Sequence, residues 1–341
     1  MTNILIIGPS WVGDMVMAQS LFISLKQQYK CSISVLAMDW SRPLLNRMPE
    51  VDEIYSMPIG HGELALGKRY QIARQLAKKT FDWAIVLPNS LKSALIPWWA
   101  KISRRTGWRG EFRYGLLNDM RLLDKRQYPL MVQRFVALGG AVGQITEQYP
   151  LPQLKIDLES QQQALERLGL STSTPMAALC PGAEFGPSKK WPARSYANVA
   201  ERLISEGLQI WVFGSQNDAE VAQQIQSYLD QRSKQQFIDL TGHTSLAEAI
   251  DLLGLAQLVL TNDSGLMHVA ASLSRPLVAV YGSTSPDFTP PLGEQSTTVQ
   301  NQIECAPCFE RQCPLGHHRC MTDLSVDQVW AHLHPLLHAD A

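Results

Sequence analysis

The chain opens on a short unbroken apolar run, Ile4-Leu5-Ile6-Ile7, which meets Gly8 and then a segment with helical spacing. The same alternation recurs. Strand candidates at residues 3–8, 32–38, 53–57, 82–87 and 104–107 are short, and most are apolar without polar alternation, which predicts a parallel sheet covered on both faces. Between them, apolar residues three and four apart predict helices over roughly 13–28, 63–79, 91–101 and 129–139. A polar stretch around 143–175 interrupts this rhythm, and then it restarts. The second series predicts strands at 176–181, 208–213, 237–240, 258–262 and 277–281, with helices at 193–206, 217–230, 245–256 and 265–273. Strand and helix alternating twice over predict an α/β protein with two Rossmann-like, doubly wound domains in tandem, facing a central cleft. In such sheets the loops after the strands carry the chemistry.

Length agrees with this division, since 341 residues suit two domains of about 150 each. No apolar run approaches the ~20 residues that cross a bilayer, and the first residues show no basic region or cleavage site, so a cytoplasmic protein is expected. The net charge of −1 conceals an asymmetry. Residues 1–150 carry 19 Lys and Arg against 11 Asp and Glu, whereas residues 151–341 carry 11 against 20. Nine of the basic residues fall between Lys92 and Arg126, a patch suited to an anionic partner or to attraction between oppositely charged halves. Interleaved Arg and Trp also suit single-stranded nucleic acid, but no nucleic-acid motif accompanies them.

The loop after the first strand, Gly8-Pro-Ser-Trp-Val-Gly13, spaces two glycines as a phosphate-cradling loop does. Where such a loop places Lys, this chain has Asp14. A carboxylate there repels phosphate but is able to take a proton from a hydroxyl. In the second half, Asn262-Asp263-Ser264-Gly265 ends a strand and opens a helix, so its N–H groups offer an anion site, with His268 one turn further in. The competing reading is a capped helix with a buried histidine. Lys189 and Lys190 follow Gly182 and Gly186 in the loop Pro181–Pro192, where lysines are commonly just solvated. A third strand end offers Gly214, leaving space for a flat base, and Asp218 for ribose hydroxyls. Three such loops after strands of one sheet are able to converge on one diphosphate.

These stretches, together with Tyr281-Gly-Ser-Thr-Ser-Pro-Asp-Phe-Thr-Pro-Pro291, Thr106-Gly-Trp-Arg-Gly-Glu-Phe-Arg-Tyr-Gly-Leu-Leu-Asn-Asp119 and Leu87-Pro-Asn-Ser-Leu-Lys-Ser-Ala94, closely resemble the ADP-heptose:lipopolysaccharide heptosyltransferases of glycosyltransferase family 9. The resemblance implies a GT-B fold and an inverting transfer from ADP-heptose that needs no cofactor. The implied acceptor is the first inner-core heptose of an anionic lipid A–Kdo–heptose molecule, at the cytoplasmic face of the inner membrane. It implies Asp14 as catalytic base and Lys189 as a contact to donor phosphate or heptose. Asp263, Ser264, Gly265 and His268 match its donor motif, with Gly182, Gly214 and Asp218 completing the nucleotide site. Lys92, Arg105, Arg109 and Arg113 are then expected to meet acceptor phosphates and carboxylates. Trp98, Trp99 and Trp108 suit sugar faces or a membrane surface, with core packing of a short helix the competing reading for Trp98 and Trp99, and Ile59–Leu64 is expected to be a mobile loop over the acceptor. The expected domains are 1–165 for the acceptor and 175–323 for the donor. A closing helix within 324–341 is expected to cross back onto the first domain, as in GT-B proteins.

Four cysteines, Cys305, Cys308, Cys313 and Cys320, lie close together with His317 and His318 among them. The grouping predicts a structural zinc or iron–sulfur site, or else reduced or redox-active thiols. Among rival functions, an NAD-dependent dehydrogenase lacks its Gly-x-Gly-x-x-Gly turn. Other core heptosyltransferases and nucleotide-sugar epimerases share the expected fold. A non-catalytic zinc module leaves the other 300 or so residues unexplained.

Overall fold

The protein is described by a computed structural model covering residues 1–60, 62–141, 143 and 148–338. It divides into two compact units, Met1–Leu154 and Lys155–Ala341.

The first unit is built on six strands, β1 (Thr2–Ile7), β2 (Cys31–Ala37), β3 (Glu53–Ser56), β4 (Trp83–Val86), β5 (Arg104–Trp108) and β6 (Asp119–Arg121). They pair in the order β3-β2-β1-β4-β5-β6, every pair parallel. β1 is central because its Ile and Leu residues are buried on both faces. One face is covered by the helix Val12–Gln28, which packs on the helix Met131–Val136. Gly139 lets that packing close up, since a Cβ there would stand 2.6 Å from Leu21 Cδ1. The other face buries Leu5, Ile7, Ala84 and Val86 beneath Ile72, Leu76 and Ile96 of two further helices.

The second unit repeats the plan with β7 (Met176–Cys180), β8 (Gln209–Val212), β9 (Phe237–Asp239), β10 (Ala256–Asn262), β11 (Leu277–Tyr281) and β12 (Ser296–Gln300). The order β12-β11-β10-β7-β8-β9 is again wholly parallel. Trp211 and Phe213 are fully buried, each contributing about 1.5–3 kcal/mol. In both sheets the order of strands reverses at one place, between β1 and β4 and between β7 and β10, and ligands of such folds bind outside the strand ends there.

Ten of the twelve strands coincide with the strands expected from the sequence. β6 and β12 do not, because Asp119-Met-Arg and Ser-Thr-Thr-Val-Gln contain little apolar sequence and lie at sheet edges. The polar stretch also conceals the helix Leu158–Leu168, capped by Asp157 and ended by Gly169 at φ 64°. That helix packs on Leu246–Leu253, and Gln161 Nε2 donates to Asp251 O at 2.6 Å, so residues expected to finish the first domain open the second. The closing helix, Val326–Leu337, was expected on the first domain. Its buried Val329, Leu333 and Leu337 instead join the second unit's core over β10, β11 and β12. Among the described residues no helix is long and apolar enough to cross a membrane.

Candidate functional site

In the first unit the chain leaves β1 at Ile7 and turns at once into a helix. Gly8 permits this, because a Cβ would lie 2.8 Å from Met15 Cε and 3.3 Å from Ala37 Cβ. Its N–H still donates to Leu36 O at 2.9 Å, continuing the sheet. Asp14 thus falls in the first helical turn, where peptide dipoles favour a negative charge. It also lines a cavity of about 450 Å³ between the ends of β1 and β4, with Asn89, Lys92, Trp108, Glu111 and Arg134. The cavity therefore sits at the switch point of the sheet, and a carboxylate stands where a nucleotide site would hold a cation.

Of the four basic residues expected to meet an acceptor, only Lys92 lines this cavity, with its Nζ donating to Glu63 O at 3.1 Å. Arg105 is spent on the fold, donating to Leu116 O at 2.7 Å and Ile102 O at 2.6 Å. Arg113 is fully buried, and its guanidinium donates to Pro88 O at 2.7 Å, to Asn89 Oδ1 at 3.2 Å and to Trp108 O. Burial pushes its pKa down to about 10. Arg109 is exposed and lies outside the cavity lining. Arg69 and Arg134, which sequence reasoning passed over, line the cavity instead. Arg69 is buried and donates to Leu64 O and Glu63 O at 2.7 and 3.1 Å, holding one rim segment. His61, in the loop expected to be mobile, lies outside the described residues. Trp108 is buried and donates to Arg134 O, Trp99 packs edge-on to Tyr70, and Trp98 is partly exposed.

In the second unit, β7 and β10 deliver their loops to the corresponding place. Lys189 Nζ lies 2.6 Å from Asp263 Oδ2, and Thr284 Oγ1 donates to the same oxygen at 2.6 Å. Ser264 occupies the position before the helix Gly265–Ser272, and its side chain makes no capping hydrogen bond to that helix. His268 is buried within that helix, and its Nδ1 has no hydrogen-bond partner among the described residues. Burial pushes its pKa down to about 4, against the opposing pull of Asp263 and with a smaller push from Lys189. The imidazole is therefore neutral near pH 7, a hydrogen-bonding group rather than a cation.

Asp218 occupies the third strand end, where its Oδ2 accepts from Ser215 N–H at 2.9 Å and Ser215 Oγ at 2.8 Å. The room at Gly182 and Gly214 belongs to Asp218 itself. A Cβ on Gly182 would stand 2.6 Å from its carboxylate, and one on Gly214 2.8 Å from its Cβ. Asn262, unremarked among the site residues, ties the loops together. Its Oδ1 accepts from Tyr196 Oη at 2.9 Å and Trp191 N–H at 3.3 Å, while its Nδ2 donates to Pro181 O at 2.6 Å.

The cysteine segment reaches the same loop from behind. All six cysteines are free thiols, and Cys305, Cys308, Cys313 and Cys320 surround a cavity of only about 20 Å³ with Ser188, Ser283 and His317. Among the described residues no group of three or more His, Cys, Asp or Glu is placed to hold a metal ion, so the expected zinc or iron–sulfur site has no support. The segment's visible role is mechanical. Ser188 Oγ donates to Glu310 O at 2.5 Å, Ser188 N–H to Arg311 O at 3.3 Å, and Phe309 N–H to Ser283 O at 2.7 Å. It thereby backs the residue preceding Lys189.

The chain is similar to known proteins over nearly its whole length. The model of glycosyltransferase family 9 (heptosyltransferase) matches residues 69–319. The chain is 46% identical to lipopolysaccharide heptosyltransferase 2 of Salmonella typhimurium, over 98% of each chain. It is 47% identical to lipooligosaccharide heptosyltransferase 2 of Haemophilus ducreyi, over 98% of this chain and 99% of that one. The solved structure of E. coli ADP-heptose LPS heptosyltransferase II superposes with a TM-score of 0.89 at 43% identity, covering 100% of this chain and 99% of the other.

Proposed function

The chain belongs to glycosyltransferase family 9, the heptosyltransferases, and from that premise we propose that it moves heptose from ADP-heptose to the first inner-core heptose of heptosyl-Kdo2-lipid A. The work is divided between the units. The first unit holds the acceptor, with Asp14 as base and Lys92 toward its anionic groups. The second holds ADP-heptose, with Lys189 and the N–H groups at Ser264–Gly265 on the diphosphate and Asp218 toward the ribose.

Inversion follows from a single in-line displacement. The acceptor oxygen bonds to the anomeric carbon, its proton passes to the Asp14 carboxylate, and the bond to the phosphate oxygen breaks with its electron pair leaving on ADP. Lys189 and the fixed helix N–H groups stabilise the charge gathering on that oxygen. Asp263 and Thr284 hold Lys189 in place before the donor arrives, and neutral His268 adds no charge of its own. In this reading the enzyme works peripherally at the cytoplasmic face of the inner membrane, where its acceptor is anchored.

The observation that carries the reading is the position of Asp14, a carboxylate lining the cavity at the switch point. Incubation with ADP-heptose and heptosyl-Kdo2-lipid A should yield a product heavier by one heptosyl residue in the mass spectrum. Asp14→Asn should lower turnover by about 10²–10⁴-fold while calorimetry finds ADP-heptose binding intact. Lys189→Ala should do the reverse, weakening donor binding by about 10–100-fold. An Asp14→Asn enzyme with ordinary turnover sinks the base assignment.

A further inference from the structure

The loop after β5 exposes two aromatic side chains, Phe112 at 78% and Tyr114 at 55%, with their rings packed edge to face 5.2 Å apart. Isolated exposed apolar residues are common on proteins and signify little. This pair is different because the loop is built to keep it outside. Arg113, between the two, is fully buried and anchored on Pro88 O, Asn89 Oδ1 and Trp108 O. Glu111 N–H donates to Asn89 O at 3.1 Å, and Glu111 Oε2 accepts from Leu91 N–H at 2.8 Å. Gly110 allows that close approach, since a Cβ there would lie 2.2 Å from Asn89 O. With Glu111 and Arg113 both tied to the β4 loop, the rings of Phe112 and Tyr114 have no route back to the core.

The surroundings indicate what they meet. Leu122, 66% exposed, is held beside Arg109 by the bond from Arg109 N–H to Arg121 O at 2.7 Å. Arg109, Lys125 and Arg126 are exposed. The two nearby carboxylates are partly engaged by backbone, Glu111 by Leu91 N–H and Asp124 by Arg126 N–H at 2.8 Å. Aromatic, leucine and cationic side chains exposed together after the paired strands β5 and β6 suit the headgroup zone of an anionic bilayer, where rings lie at the interface and Lys and Arg reach phosphates. Glu111 and Leu123 also line the cavity that holds Asp14, so the patch adjoins its rim.

We propose that Phe112, Tyr114 and Leu122, with Lys125 and Arg126, form the surface by which the first unit rests on an anionic lipid bilayer. This deepens the function proposed above, since a lipid-anchored acceptor would then present its sugars at the mouth of the cavity. The test uses the full chain and two readouts. The first is co-sedimentation with phosphatidylglycerol/phosphatidylethanolamine vesicles against phosphatidylcholine vesicles. The second is heptose transfer to an acceptor embedded in those vesicles, against the same acceptor stripped of its acyl chains. Phe112→Ser/Tyr114→Ser should lower vesicle association and transfer to the embedded acceptor by about tenfold or more, leaving the water-soluble acceptor within about twofold. Lys125→Gln/Arg126→Gln should weaken association with anionic vesicles and flatten its salt dependence. Unchanged vesicle binding in Phe112→Ser/Tyr114→Ser overturns the proposal, as does equal loss on both acceptors. So does a concentration-dependent dimer, seen in sedimentation velocity, that the same variant dissolves. Vesicle binding without transfer to either acceptor would leave the surface standing and refute the heptosyltransferase reading instead.

Discussion

Asp263 sets a negative charge in a site read as taking a diphosphate, and its contacts give the physical reason. One carboxylate oxygen receives both Lys189 and Thr284 at 2.6 Å, so the charge serves to fix the cation rather than to meet the ligand. Burial, with a smaller push from Lys189, outweighs the pull of Asp263 on His268 and holds it at about 4 against an ordinary value of 6.5. Between those two values the unfolded chain binds a proton that the folded one refuses. The histidine's contribution to stability is therefore whole above pH 6.5 and lost as pH falls through 4. Thermal unfolding followed from pH 7 to pH 4 should fall more steeply for the wild type than for His268→Gln, and parallel curves would contradict that linkage. Residue chemistry was legible in part. Asp14, Lys189 and Asp263 stand out by type and by position after strands. Arg105 and Arg113 were indistinguishable from ligand-binding arginines, because nothing in a string of residues reveals a guanidinium committed to backbone carbonyls.

At the level of elements, strong apolar runs located nearly all of both sheets, since a strand buried on two faces must be apolar throughout. Edge strands escape that requirement, which is why β6 and β12 were missed. The helix Leu158–Leu168 is mostly polar and shows only its Asp157 cap and Gly169 stop, signals easily taken for a loop. One buried amide tethers two loops of the second site. Asn262 joins the end of β10 to Pro181 after β7 and to Tyr196 and Trp191 of the neighbouring segment. Asn262→Ala would strand a buried hydroxyl and a carbonyl, costing about 2–4 kcal/mol in denaturant unfolding. It should also weaken ADP-heptose binding, as the Pro181–Trp191 loop loses its tether. A variant as stable as the wild type would show that the amide is dispensable to that arrangement.

Across the whole molecule, one strand order is used twice, and each sheet puts its chemistry at its own point of reversal. In the function proposed above the first unit supplies a base and the second a cation and helix amides, and no residue of either cluster comes from the other's half of the chain. Inheritance can then act on the two specificities separately. If the acceptor is read by the first unit as proposed, a single recombination near residue 154 would exchange that reader without disturbing a donor residue. A chimaera carrying the first unit of a heptosyltransferase 1 before Lys155 should keep the donor affinity of this chain and take the acceptor choice of its new half, as competition between the two acceptors would show. Lineages of such enzymes could extend a glycan one sugar at a time by replacing half a gene, with the activated sugar held constant throughout.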